Sequence, residues 1–286
     1  MSNKHDSLGD RMKTYEAVPK VFLTRRVPVI IRLDGKAFHT FTRGFQKPFD
    51  FVLMNAMEDT MKYLCENIQG CVLGYTQSDE ITLVLIDYQT LTSDAWFDYN
   101  VEKITSISAS MATLAFNRAF AKCVASHNER ILDMKMDYPE NTFAVEECIC
   151  VAYNKALDRG ALFDSRVFNV PCDDVMNVLE WRQQDATRNS IQMVGQANFS
   201  HKQLHGKSCN DIQEMLFVEK GINWNNYTTR SKRGVCCIKK PMPIVHNGVA
   251  QTDGENVLTR NKWVIDYDIP IFHQQPEYIN RLIGLE

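Results

Sequence analysis

The order of hydrophobic patterns along the chain predicts an α+β fold built on a β-α-β-β-α-β unit, the split βαβ or ferredoxin-like pattern. Three observations carry this expectation. Residues 27–33 form an apolar run rich in β-branched side chains (Val27, Val29, Ile30, Ile31) and read as a buried strand. Two more apolar runs, 71–73 and 81–86, flank Gly74-Tyr75-Thr76-Gln77-Ser78-Asp79-Glu80 and predict a hairpin. Between and after them the apolar spacing changes to that of helices, before residues 163–170 return to a strand pattern.

The first 26 residues are polar and charged, and Asp6 to Asp10 can cap a short helix running to about Val18. After the first strand, residues 36–50 read as a loop carrying Phe38, Phe41, Phe45 and Phe49. Asp50 is placed to N-cap a helix to Asn67, whose Val52, Met54, Met57, Met61, Leu64 and Cys65 recur at helical spacing. Its methionines fit a core better than a cofactor box. A second helix over 100–118 puts Ile104, Ile107, Met111, Leu114 and Ala115 on one face, and small residues at 106–112 permit close packing. The C-terminal part changes character. Asp173 and Asp174 predict a helix start that continues through Trp181, residues 185–190 a polar break, and 191–199 and 210–220 further helices, the last ending at Gly221. Strands are expected at 234–240 and 261–267. There is no internal repeat or low-complexity linker. The expected division is a catalytic domain over 1–172 and a helical and strand region over 173–286 packed on it.

The chain has 286 residues, 44% hydrophobic and 23% charged, an ordinary globular composition. A net charge of -3 offers no bulk attraction for nucleic acid, so any RNA contact must come from local basic patches. No apolar run is long enough to span a membrane, and the first residues lack the apolar core of a signal peptide. The expectation is a soluble, cytoplasmic protein. The nine cysteines include no CxxC pair, which argues against a disulfide framework and gives a zinc site little support.

Asp34-Gly35 follows the first strand where it would leave the sheet. A carboxylate there supplies oxygen ligands, and the glycine lets backbone approach a metal or phosphate. The same dipeptide is also the commonest hairpin turn, so this stretch alone supports both readings. Asp79 and Glu80 at the later hairpin tip repel one another unless a cation sits between them, although solvated acidic turns are common on surfaces. The strand order supplies the link. In a split βαβ unit strands one and three are antiparallel neighbours, which puts Asp34 and Asp79 at one sheet edge. Two such carboxylates can hold two divalent cations about 3.5–4 Å apart, the arrangement of nucleotidyl transfer. Their hard oxygens point to magnesium.

Basic residues cluster in the C-terminal half: Arg182, Arg188, Lys202, Lys207, Arg230, Lys232, Arg233, Lys239 and Lys240, with Trp181, Phe199, Trp224 and Tyr227 among them. With Asn189 beside Arg188, this pattern fits an RNA-binding face, with cations on phosphates and rings on bases. It fits a solvated face with apolar anchors equally well.

Three ordered motifs now resemble a known group. Arg32-Leu33-Asp34-Gly35-Lys36-Ala37-Phe38-His39-Thr40-Phe41, Lys47-Pro48-Phe49-Asp50 and Gly74-Tyr75-Thr76-Gln77-Ser78-Asp79-Glu80 resemble the tRNA-His guanylyltransferase superfamily in order and spacing. The likeness continues through Phe163-Asp164-Ser165-Arg166-Val167 and Trp181-Arg182-Gln183-Gln184-Asp185. The resemblance implies a polymerase-palm-like fold and 3′–5′ addition of nucleotides to the 5′ end and acceptor stem of tRNA. It implies ATP activation of the 5′ phosphate, two magnesium ions, GTP or another NTP as the incoming substrate, and a homotetramer built as a dimer of dimers. By matching position, Asp34 and Asp79 would ligand both metals and the Gly35 carbonyl one, with Glu80 assisting as a second acid. Lys36, Ala37, Phe38 and His39 would follow the nucleotide, with Lys47, Asp50 and Ser78 near it.

Two departures matter. Phe49 replaces the Asn of the family's Lys-Pro-Asn-Asp element. Members that add G to tRNA-His carry His-Ile-Asn-Asn-Leu-Tyr-Asn where this chain has Thr187-Arg188-Asn189-Ser190-Ile191-Gln192-Met193, and only Asn189 clearly survives. The chain thus resembles the guanylyltransferase-like branch, which implies template-directed repair of 5′-truncated tRNA. The alternatives are strict guanylate addition to tRNA-His, a cyclase or 5′–3′ polymerase on the same palm, and a non-catalytic RNA-binding protein.

Overall fold

The structure is a computed structural model that describes residues 7–138, 142–246, 249–250, 252–253 and 256–285. Asp6, expected to help cap the first helix, lies outside the described residues. The chain begins with α1 (Ser7–Ala17), then β1 (Val29–Gly35), a one-turn α2 (Phe38–Phe41) and α3 (Phe51–Asn67). The hairpin β2 (Cys71–Gln77) and β3 (Glu80–Leu85) follows, then α4 (Val101–Asp137), α5 (Ala144–Arg159) and β4 (Phe163–Asn169). This is the β-α-β-β-α-β order expected from the sequence. Asp50 caps α3 as expected, its Oδ1 accepting from Leu53 N at 2.8 Å, and Asn100 caps α4 through Lys103 N at 2.9 Å.

The C-terminal part holds α6 (Cys172–Asn198), α7 (His201–Leu204), α8 (Cys209–Lys220), α9 (Thr229–Arg233) and β5 (Val235–Pro243). Two minute hairpins follow, β6 (Val245–His246) with β7 (Val249–Ala250), and β8 (Thr252–Asp253) with β9 (Asn256–Val257). The chain then runs through β10 (Thr259–Asp266) and α10 (Glu277–Ile283). One six-stranded sheet, ordered β10-β5-β2-β3-β1-β4, runs through the molecule with antiparallel pairings. Its last four positions are the ferredoxin-like order. The strands of the C-terminal part extend that sheet beyond β2 rather than forming one of their own.

Sheet alternation places Val29, Ile31, Leu33, Ile81, Leu83 and Leu85 against α3 and α4, in a core with Met57, Met61, Phe116 and Phe120. Ile30 and Val84 face the other way, onto Val175 and Leu179 of α6 and Ile279 and Ile283 of α10. Both faces are therefore covered. The same alternation aims Arg32, Asp34, Glu80 and Thr82 toward the α6 side of the sheet.

Three local expectations are corrected. The second helix does not stop near 118 but continues to Asp137, because Phe116, Phe120, Val124 and Ile131 keep one face buried. The polar break at 185–190 is absent. These residues lie inside α6, where Asp185 pairs with Arg182 and Arg188 while Ala186 and Ser190 face inward. Asp173 and Asp174 sit in the first turn of α6, where carboxylates suit the helix dipole, and Pro171 holds the cap position.

One glycine is required by geometry. Gly234 has φ +79°, and a Cβ on it would collide with the carbonyl oxygen of Thr76. Gly234→Ala is expected to cost about 3 kcal/mol or more, through backbone strain and displacement of β5 from β2. A urea unfolding midpoint equal to that of the unmodified chain would show that this close approach is dispensable.

Candidate active site

The β1 terminus and the β2–β3 turn meet at one sheet edge. Asp34 lies opposite Glu80 on one side and opposite Asp164 of β4 on the other. The Gly35 amide donates to the Asp79 carbonyl at 3.0 Å, tying the two segments together. Gly35 also has a packing reason to lack a side chain, since a Cβ there would run into the Phe38 ring. Asp79 titrates above the ordinary Asp range, chiefly because burial penalises its charge. The hydrogen bond from Ser78, at 3.1 Å, works against this, while the charges of Asp34 and Glu80 add to it. Ser78 and Ala37, on the two segments, hold φ of 51° and 55°, a left-handed backbone that is uncommon for residues with a side chain.

The third acid behaves differently. The Glu80 carboxylate accepts from Arg182 Nη1 at 2.8 Å and has Arg32 at 3.9 Å, so two guanidiniums neutralise it. Its place is that of an anchor between β3 and α6 rather than an open ligand. Asp34 and Asp79 have no ion pair among the described residues. Two unneutralised carboxylates beside a backbone carbonyl form a hard-oxygen donor set that suits divalent cations such as magnesium. Among the described residues no cluster of three or more His, Cys, Asp or Glu side chains could hold a metal, and all nine cysteines are free.

The raised pKa of Asp79 has a testable consequence. Its protonated form is favoured by folding, so its stabilising contribution is full below the unfolded Asp range and is lost as pH rises through the folded value. In magnesium-free solution, Asp79→Asn is expected to flatten the decline in stability as pH rises from about 4 through the acidic range. Denaturant titrations across that range check this, and parallel profiles for the two proteins would refute it.

Beside this edge opens a cleft of about 490 Å³ lined by Gly35, Ala37, Phe38, His39, Lys47, Asp50, Ser78 and Asp79, all expected from sequence. Met193 and Gln196 of α6 also line it, and sequence reasoning did not include them. His39 and Lys47 are exposed there and can meet phosphate. Lys36 is exposed but is not among the lining residues; its amide is fixed to the Leu162 carbonyl at 2.8 Å. The Phe38 ring belongs to the aromatic core, 5.0 Å from Phe41 and 5.3 Å from Phe163. The Asp50 carboxylate is engaged by Leu53 N, Gln46 N and Tyr153 Oη, so it shapes the loop rather than offering a free charge.

The residues expected to bind RNA divide in two. Arg182 is 7% exposed and bound to Glu80 and Asp185, which corrects its place on an RNA-binding surface. Arg230 is held by Glu58 at 2.5 Å and by Asn55. Lys232 donates to the Asn225 carbonyl at 2.7 Å, Asn189 to Asp185 at 3.3 Å, and Arg233 is half-buried. Of the nine basic residues, Arg188, Lys202, Lys207 and Lys239 are exposed, and Arg188 pairs with Asp185. Charge in the sequence does not reveal which cations have an intramolecular partner.

The family model for tRNAHis guanylyltransferase matches residues 9–171, more than half of the chain. The chain belongs to that family. It is therefore a nucleotidyltransferase. Among solved structures it is similar to a bacterial tRNA(His) guanylyltransferase-like protein in complex with ATP, at 40% identity and TM-score 0.75, covering 98% of this chain and 100% of the other. A bacterial guanylyltransferase-like protein in complex with GTP matches at 37% identity and TM-score 0.70, covering 97% and 99%. The tRNA(His) guanylyltransferase of Saccharomyces cerevisiae is 27% identical over 241 residues, 79% of this chain and 88% of its own length. The palm-like sheet is thus a family feature.

Proposed function

We propose that this guanylyltransferase-family chain is a template-directed 3′–5′ nucleotidyltransferase that repairs the 5′ end of truncated tRNA. One observation carries the reading: Asp34 and Asp79, without ion-pair partners among the described residues, meet at one sheet edge, and Asp79 lines a cleft together with His39 and Lys47. Asp34, Asp79 and the Gly35 carbonyl would hold magnesium, which would supply charge neutralisation at the reacting phosphate. His39 and Lys47 would orient the triphosphate.

The reaction runs in two steps. The tRNA 5′ phosphate attacks the α-phosphorus of ATP, forming a 5′-5′ pyrophosphate-linked adenylyl end and releasing pyrophosphate. The 3′-hydroxyl of the incoming NTP then loses its proton to solvent and attacks the activated tRNA phosphorus. A new phosphodiester bond forms and AMP leaves. The ATP and GTP complexes of the bacterial relatives support use of both nucleotides.

Template direction is supported by the altered segment 187–193. It lies on α6, Met193 reaches the cleft, and Ser190 accepts from Trp224 Nε1 at 3.0 Å behind it. A change of side chains there alters the cleft wall itself. The family description favours a second reading, strict guanylate addition to tRNA-His. Assembly as a homotetramer and cytoplasmic residence remain part of the proposal.

The test offers 5′-monophosphorylated tRNA lacking its first nucleotide, with ATP, magnesium and each NTP in turn. The expected product is one added nucleotide complementary to the opposing base. Incorporation of G regardless of that base would favour the strict reading. Equal use of all four would contradict template direction.

A further inference from the structure

A groove on the outer side of α3 and α4 adjoins the site described above. Gln46, Phe51, Asn55, Lys122, His127 and Arg130 line it, around a volume of about 430 Å³. No carboxylate is among its lining residues. Lys122 and Arg130 are exposed and have no ion pair among the described residues. Phe51 leaves half of its surface open, 50%, beside them.

His127 adds an unmet donor. Arg130 Nη2 lies 3.4 Å from its Nδ1, and with Nδ1 accepting, the imidazole proton resides on Nε2. That Nε2 is buried without a hydrogen-bond partner among the described residues. A buried donor left unpaired is unfavourable and calls for an acceptor. A groove with no lining carboxylate, two cations, amide donors and a half-exposed ring, which Arg230 overlies at 5.7 Å from its centre, suits one ligand chemistry: phosphate oxygens on the cations and a base on the ring.

The groove also touches the catalytic loop. Gln46 lines both this groove and the cleft. His127 meets the Tyr153 ring edge-on, with centroids 5.3 Å apart. Tyr153 Oη donates to Asp50 Oδ2 at 2.7 Å, and that oxygen also accepts from Gln46 N at 2.9 Å.

We propose that this groove is a second nucleotide subsite, holding one phosphorylated nucleotide unit beside the catalytic cleft. The inference rests on reading the Asp34–Asp79 cleft as the primary nucleotide site. The unit comes either from a free NTP or from the tRNA strand.

Calorimetric titration of the full chain with ATP and magnesium, and separately with 5′-phosphorylated tRNA, tests this. Two variants are compared with the unmodified protein: the Lys122→Ala/Arg130→Ala double variant, and Phe51→Leu, which leaves charge unchanged. If free nucleotide occupies the groove, the unmodified protein binds a second equivalent of ATP, and both variants weaken it at least tenfold. If the tRNA strand occupies it, both variants weaken tRNA binding at least tenfold. Either result supports the subsite, provided the first ATP equivalent stays within twofold. Affinities within twofold of the unmodified protein for both ligands would overturn it. So would a loss of tRNA affinity in the double variant alone, which reflects general charge. Failure of ATP to bind the cleft of the unmodified protein would instead refute the primary-site reading, and the tRNA arm would still judge the groove.

Discussion

Asp79→Asn is expected to slow nucleotide addition by roughly 10²–10³-fold, the scale on which loss of a single transition-state-stabilising group acts. The substitution keeps the side-chain volume and removes one charge. Asp79 is partly buried beside Asp34, and its carboxylate is disfavoured by desolvation and by that neighbour. In metal-free protein the change therefore costs no stability and relieves repulsion. Under catalytic conditions the same change removes half of the carboxylate pair available to cations. Single-turnover addition to a 5′-shortened tRNA, together with a magnesium titration, reads both effects. Activity within tenfold of the unmodified enzyme would dismiss the paired-carboxylate site. A large loss accompanied by a lowered Tm would mean that Asp79 is structural.

Arg182→Ala is expected to destabilise the fold by about 3–5 kcal/mol, the range for breaking a buried ion pair by removing one partner. The Arg182 side chain is 8% exposed, donates to Glu80 at 2.8 Å, lies 3.3 Å from Asp185 and sits 3.8 Å from the centre of the Trp181 ring. Its removal leaves Glu80 with only Arg32, at 3.9 Å, and adds uncompensated negative charge next to Asp34 and Asp79. Both stability and turnover should fall. Arg182→Lys should recover part of each, since one ammonium cannot reproduce the two-sided guanidinium contact and the flat stacking. Normal urea stability with weakened tRNA binding would return Arg182 to an RNA-contacting role.

These two residues show where linear reading succeeds and where it stops. Asp34 and Asp79 were legible because each ends an apolar strand pattern, and a two-residue sheet period fixes which end of a strand emerges where. Asp50 was legible as a cap because it directly precedes an amphipathic helix. Arg182 and Arg230 were not legible: their partners Glu80 and Glu58 lie far away in the chain, and no local pattern encodes the pairing. The supposed break at 185–190 failed for a related reason. Its polar residues satisfy one another at helical spacing and its small residues face inward, so polarity did not mean loop. No motif marks Met193 and Gln196 as lining residues, because helix packing brings them to the site.

By itself the sequence determined the order of strands and helices, the two acids at strand termini, and membership of a nucleotide-adding family. These depend on short-range periodicity and on motifs that survive as contiguous strings. The tertiary structure alone decided that β5 and β10 complete the same sheet, that Glu80 is neutralised while Asp34 and Asp79 are not, and which cations face solvent. Those outcomes depend on which charges desolvation forces into contact across the fold, and such contacts join residues with no proximity along the chain.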